Sequence, residues 1–228
     1  MFTAGDNAYF SGTAQQFHDC YDPSWGRHRA RTRPAPGNHD YGSPGAAPYF
    51  AYFGANAGPP GLGYYSFSAG SWHVVSLNSN VPTSAGSAQA AWLREDLDAS
   101  RAQCVAAIWH HPLFSVGPNA TMSETRELWR ILYEASADII INAHDHMYER
   151  FAPQNPDGVA DPRRGIRQFV IGTGGAELTA TARSRPNVET TFTGSFGVLK
   201  LTLLQASYRW EFITAAGAIT DAGSDVCR

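Results

Sequence analysis

Between Trp72 and Ile141 the chain alternates apolar strand-like runs with amphipathic helical stretches, and this limits its fold more than any other feature. Trp72 to Leu77 reads as a strand, and Tyr64 to Ser68 as its hairpin partner across Ala69-Gly70-Ser71. Residues 87 to 100 carry Trp92, Leu93 and Leu97 at helical spacing, with Ser87 placed to cap the first turn. Cys104 to Trp109 is a short apolar run that predicts a buried strand. Residues 123 to 135 predict a second amphipathic helix, with Leu128, Ile131 and Leu132 on one face, and Asp138 to Ile141 another buried strand. Both flanks lean toward strands, among them Arg167 to Ile171, Phe196 to Leu203 and Ser207 to Thr214. The pattern predicts helices covering sheets within one α/β domain.

The remaining segments read as loops. Residues 11 to 36 predict a short helix and then an irregular basic stretch ending in Pro34-Ala35-Pro36. Gly42 to Gly63 has loop composition with aromatics that pack it onto the surface, and Ala152 to Gly165 reads as an exposed loop. A chain of 228 residues with 43% hydrophobic content can bury its own core, which excludes general disorder. No apolar run approaches the roughly 20 residues a membrane helix needs. A net charge of -3 argues against a nucleic-acid binder that relies on a basic surface, and leaves a small anionic substrate open. Three cysteines, Cys20, Cys104 and Cys227, form no C-x-x-C. They allow at most one disulfide: a Cys104–Cys227 bridge tying down the tail, or free thiols.

Four short stretches place hard or borderline metal ligands at strand ends or in loops. They are Gly5-Asp6-Asn7-Ala8-Tyr9, Gly37-Asn38-His39-Asp40, His110-His111-Pro112 and Ala143-His144-Asp145-His146. Five of the eight histidines fall in them. His110 and His144 each follow the C-terminal end of a predicted strand, where ligands gather in open α/β sheets. Imidazole with carboxylate suits Zn, Fe, Mn or Ni better than Ca or Mg. Each stretch alone is weak; their order together is specific.

In that order the chain resembles the calcineurin-like metallophosphoesterases, and within them the purple acid phosphatases and their bacterial relatives. The resemblance runs from Gly5 to about Thr214 and includes the His144-x-His146-x-Tyr148-Glu149-Arg150 ending of the purple-phosphatase branch. It implies a four-layer α/β/β/α sandwich of two mixed sheets flanked by helices, lacking its first strand, with residues 1–228 as a single, N-terminally truncated catalytic domain. It implies two metal ions. Asp6 would bridge them, Tyr9 and His146 would bind the first, and Asn38, His110 and His144 the second. The ions would be Fe, Mn or Zn, with Fe at the Tyr9 site if Tyr9 ligates. His39 would act as acid or electrostatic stabiliser, with Asp40 orienting it, and Asn38, His39 and His111 would touch the substrate phosphate. The implied reaction is hydrolysis of phosphate monoesters or diesters by water activated between the metals. The family's usual location implies an extracellular, periplasmic or cell-envelope protein, although this chain begins with no signal peptide.

Two departures stand out. Ala143 replaces the family's Gly before H-x-H, and the family's first D-x-[GH] motif is missing, since only five residues precede Asp6. The second departure keeps open a metal- or phosphate-binding fragment without turnover. Elsewhere Asp145 reads as a solvent-facing loop residue, Glu149 and Arg150 as a structural pair, and Gly172-Thr173-Gly174-Gly175 as a tight turn that brings backbone near the site. Trp25 with Arg27, Arg29, Arg31 and Arg33 reads as a solvated loop, with a substrate-facing rim as the alternative. Ser115 lacks a nucleophile elbow.

Overall fold

The computed structural model describes residues 1–119 and 122–228. Its first strands, β1 (Phe2–Ala4) and β2 (Arg33–Ala35), pair in parallel. Between them lie α1 (Ala14–Gln16), a π-turn over Phe17–Tyr21 and a 3-10 segment over Trp25–Arg31. The helix α2 (Ala47–Phe53) occupies part of the region read as loop. Its Tyr49 and Phe53 join Phe17 and Tyr21 in an aromatic cluster, which explains how a Pro/Gly-rich segment stays packed.

The central sheet has seven strands in the order β3-β4-β5-β6-β8-β7-β9. These are β3 (Tyr65–Ala69), β4 (Trp72–Ser76), β5 (Cys104–Ile108), β6 (Ile139–Asn142), β7 (Tyr148–Phe151), β8 (Arg167–Ile171) and β9 (Val188–Phe192). The strands β4, β5, β6 and β8 run parallel, while β3, β7 and β9 pair antiparallel. Two helices serve the parallel part: α3 (Ala88–Ala99), capped by Ser87, and α4 (Arg126–Glu134), entered through a 3-10 turn at Ser123–Thr125.

Alternation along each strand divides the core in two. Val75, Val105, Ala107 and Ile140 pack with Leu93, Leu97, Leu128 and Leu132 of the helices. Their neighbours Trp72, Val74, Ala106, Ile108, Ile139 and Ile141 point the other way. There they meet Tyr208, Trp210 and Phe212 of a second sheet. That sheet comprises β10 (Gly197–Leu203), β11 (Ser207–Thr214) and β12 (Ile219–Val226). The period of two thus gives one face to helices and the other to a sheet.

The α/β class with a mixed sheet follows the sequence reading; the two mixed sheets do not. Only the seven-stranded sheet is mixed among the described residues. Opposite it stand a three-stranded antiparallel sheet and the separate parallel pair β1–β2. A disulfide joins Cys104 at the start of β5 to Cys227 beyond β12, and Cys20 is free and exposed.

Candidate metal centre

Two pairs of parallel strands aim at one place. In the first, Ala4 aligns with Ala35, so Asp6 and Asn38 leave the C-terminal ends of β1 and β2 side by side. In the second, Ile108 aligns with Ile141, and pairing continues past both strands through Trp109 N–H to Ile141 O and Ala143 N–H to His110 O. His110 and His144 therefore emerge together. The pairs are stitched to each other where His110 Nδ1 donates to the Ala4 carbonyl at 2.8 Å. Gly37 must be glycine here, because a Cβ would come within 2.2 Å of Asp6 Oδ1. The left-handed backbone before H-x-H falls at His144 (φ 68°) rather than at Ala143, so alanine fits where glycine was expected.

With Nδ1 committed, His110 turns Nε2 toward three groups. Asn38 Oδ1 is 3.0 Å away, Asp6 Oδ2 3.1 Å and His144 Nδ1 3.2 Å. Acceptors converging on one point call for a cation among them, either a proton or a metal ion. Burial alone would raise the Asp6 carboxyl. The His110 imidazole and the His39 backbone N–H at 2.8 Å outweigh it and hold that carboxyl well below the usual carboxylate range. Burial likewise opposes a charge on His110, yet Asp6 lifts its pKa above the ordinary imidazole value. His144 is pushed down to about 4 by burial and then by His110, which leaves its ring neutral and able to ligate.

A second group forms on the other side of Asp6. Tyr9 OH lies 3.3 Å from Asp6 Oδ2 and 3.2 Å from His146 Nε2. His146 Nδ1 donates to the Glu177 carbonyl at 2.7 Å, fixing the ring with its lone pair toward Tyr9. Burial, and then the Asp6 charge, push the Tyr9 phenol upward, so only a cation close by would make it a phenolate.

His39 and His111 flank these groups. His39 Nδ1 donates to the Phe10 carbonyl at 2.6 Å and its Nε2 stands 4.0 Å from Asp6 Oδ2. His111 belongs to a cluster with His110 and His144 whose ring nitrogens lie within 4.8 Å of one another. Ser79 Oγ accepts the His111 backbone N–H at 3.1 Å and sits 2.8 Å from Nδ1. A hydroxyl proton given to Nδ1 puts the ring's own proton on Nε2, making it a donor. Burial, then His110 and His144, push His111 down to about 3, so it donates as a neutral ring.

Three sequence readings are corrected. Asp40 does not orient His39. Its buried carboxylate turns back to Gly37 N–H at 2.8 Å and Asn7 Nδ2 at 3.0 Å, tying the loops that carry Asp6 and Asn38 together. Asp145 is fully buried rather than solvent-facing. Glu149 and Arg150 point to opposite faces of β7. Glu149 binds Ser115 Oγ and Val116 N–H, while Arg150 binds Asp221 and Thr190. The turn Gly172–Gly175 does bring backbone near H-x-H, since Gly172 N–H donates to Met147 O, and Trp25 Nε1 reaches Gly174 O at 3.3 Å. Two of the arginines pack on the neighbouring 47–57 segment: Arg29 lies over Tyr52, and Arg33 binds Asn56. Ser79 and the carbonyls of Ala4, Phe10 and Glu177 were missed, since backbone and serine partners carry no sequence signal. Cys104, Asp138 and Cys227 also lie within ligand distance of one another, but both thiols are spent in the disulfide.

The chain spans 37% of the length of a plant relative, probable purple acid phosphatase 20 of Arabidopsis thaliana, to which it is 30% identical over 161 residues covering 65% of its own length. It is also 27% identical to uncharacterized protein MT2654 of Mycobacterium tuberculosis, over 65% of this chain and 36% of that one. Its fold superposes on purple acid phosphatase PPD1 from yellow lupin seeds with a TM-score of 0.83, at 19% identity, over 99% of this chain and 46% of the lupin chain. The calcineurin-like phosphoesterase family model matches residues 1–148 of the 228. The chain therefore belongs to the calcineurin-like phosphoesterase family and is related to purple acid phosphatases.

Proposed function

We propose that this chain hydrolyses phosphate esters at a centre for two cations. One observation carries the reading: Asp6 Oδ2 lies 3.1 Å from His110 Nε2 and 3.3 Å from Tyr9 OH, so a single carboxylate joins two ligand groups. Asn38, His110 and His144 would hold one cation with Asp6, and Tyr9 and His146 the other. The donor set fits, because lone pairs of Asn38, Asp6, His110 and His144 converge in one group, and in the other a single Tyr9 phenol proton serves both Asp6 and His146. Imidazole and carboxylate favour Zn, Mn or Fe, and a Tyr9 phenolate would favour Fe. When bound, the cations neutralise the phosphate oxygens and lower the pKa of an attacking water from 15.7 toward about 7.

The chain's own residues would do the rest. Asn38 and the His111 Nε2 proton orient the phosphate. His39, held by the Phe10 carbonyl, presents Nε2 over the same space and can protonate the leaving oxygen. The Cys104–Cys227 disulfide supports an exported protein. A second reading, metal or phosphate binding without turnover, is favoured by the Tyr9 group, which with Asp6 offers three donors against four on the other side.

Replacing Asn38 or His144 by Ala tests the proposal. Turnover of phenyl phosphate should fall about a thousandfold or more in each, with the far-ultraviolet spectrum unchanged. Near-normal turnover in either variant would sink the assignment. Metal uptake by the wild type with no turnover on mono- or diesters would establish the second reading instead.

A further inference from the structure

Behind the metal centre, Ser115, Asp145 and Glu149 are fully buried together, and no step above uses them. Ser115 Oγ contacts Asp145 Oδ2, lies 2.6 Å from Glu149 Oε1, and accepts the Gly117 N–H at 2.9 Å. The other carboxylate oxygens are also engaged: Glu149 Oε2 takes the Val116 N–H and Asp145 Oδ1 the Asn119 N–H, both at 3.0 Å. A hydroxyl has one proton and so can donate to only one of two carboxylates. The other must carry a proton of its own and donate to Oγ. Burial pushes the Glu149 carboxyl up to about 7, which favours Glu149 as the partner that carries the proton. Glu149 lies farther along β7, inside the core.

Resting on the reading of His144 and His146 as ligands, we propose that Ser115 and Glu149 are positioning residues for the metal centre. Glu149, as a neutral acid, donates to Ser115, Ser115 donates to Asp145, and Asp145 fixes the turn that carries both histidines. Thr179 N–H to His146 O at 3.0 Å and Gly172 N–H to Met147 O at 3.1 Å hold the far side of that turn, and neither bond reaches Asp145. His144 is in the left-handed region at φ 68°, and the local bonds are Asp145 N–H to Ala143 O and Met147 N–H to Asp145 O, each 2.8 Å. The brace reaches it from a separate segment. Asn119 Nδ2 adds a bond to His144 O at 3.1 Å, and Gly117 lets the carboxyl press close, since a Cβ there would lie 2.2 Å from Asp145 Cγ. Arg185, whose Nε donates to Ser115 O at 2.8 Å, is the charged neighbour on the outer side.

The test is calorimetric titration of Mn2+ into metal-free full chain, with turnover of phenyl phosphate measured in parallel. Ser115→Ala and Glu149→Leu should each weaken Mn2+ binding about tenfold or more, the range for residues that orient metal ligands. Glu149→Gln keeps a donor toward Ser115 and an acceptor for Val116, and should stay within about threefold of wild type. Wild-type affinity in Ser115→Ala overturns the brace. A Glu149→Gln variant as weak as Glu149→Leu overturns the neutral acid. Should Ser115→Ala and Glu149→Leu fail to fold, Glu149→Gln decides by the same threefold and tenfold limits. A wild type that takes up no Mn2+ overturns the metal reading itself, and the brace with it.

Discussion

At the residue scale the centre depends on side chains whose second contact is fixed by backbone. The Nδ1 atoms of His110, His39 and His146 are each spent on a carbonyl, of Ala4, Phe10 and Glu177, leaving Nε2 for the site. In His39 that free nitrogen stands 4.0 Å from Asp6 Oδ2, outside hydrogen-bond reach, and the proposed role is contact with a bound phosphate rather than with a cation. His39→Ala should therefore lower kcat about a hundredfold or more while metal atoms per chain, by elemental analysis, stay at the wild-type level. Loss of metal would instead make His39 a ligand. The identities of the clustered residues were legible because the motif residues themselves converge in the fold. The roles of their neighbours were not. Asp40 follows His39 directly, yet the chain enters a 3-10 turn there and swings its carboxylate back to Gly37 and Asn7. Asp145 looked solvated because its partner, Ser115, lies 30 residues away in sequence.

At the scale of elements, strands with continuous or alternating apolar residues were readable, β3 and β10 at sheet margins among them, and strands of polar sequence were not. The runs ending at His110 and His144 are continuous and apolar. By contrast β7, β9 and β12 (Ile219–Val226) carry Tyr-Glu-Arg, Val-Glu-Thr and Thr-Asp-Ala sequences: β9 and β12 alternate exposed with half-buried side chains, and in β7 the buried Glu149 is spent on Ser115 and Val116. The strand β2 contains Pro34, which removes a donor and hid a three-residue edge pairing. Asp138 joins two elements the sequence did identify, accepting Val105 N–H of β5 at 2.9 Å and Arg228 N–H at 2.7 Å. Burial pushes its carboxyl up to about 6 from an ordinary 3.8. Between those values the folded chain binds one more proton than the unfolded chain. Its stabilising contribution is thus full below the unfolded value and lost as pH rises through the folded one. Asp138→Asn does not titrate, so its stability relative to wild type should improve from about pH 4 to about pH 7, by up to about 3 kcal/mol. Urea unfolding at each pH reads the gap. A flat gap would mean that the two N–H donors keep the carboxylate charged in the folded chain.

At the scale of the whole molecule, the candidate ligands come from four segments spread from Asp6 to His146, each at the C-terminal end of a strand or just beyond it. The strand β1 and its partner β2 bring two of these segments, and the central sheet brings the others. In the proposed ligand sets each cation draws on both pairs, so binding and docking would be coupled. A ligand present at about a hundredfold above its Kd and bound by the native state alone adds about 2.7 kcal/mol. In a chain of this size that should raise Tm by roughly 5 to 10 °C. Thermal unfolding with Mn2+ or Zn2+, and again after chelation, should show that difference in the wild type and a much smaller one in Asn38→Ala. The disulfide supplies a contrast, because it ties Cys104 to Cys227 across 123 residues at the opposite end of β5 from His110. Reducing it should lower Tm with and without metal alike and leave the metal-dependent rise in place. If reduction abolished that rise, the strand would be transmitting strain from the bridge to the site. If the wild type showed no rise, β1–β2 and the central sheet would be docked equally well without cations, and the centre would bind too weakly to serve as a resident metal site.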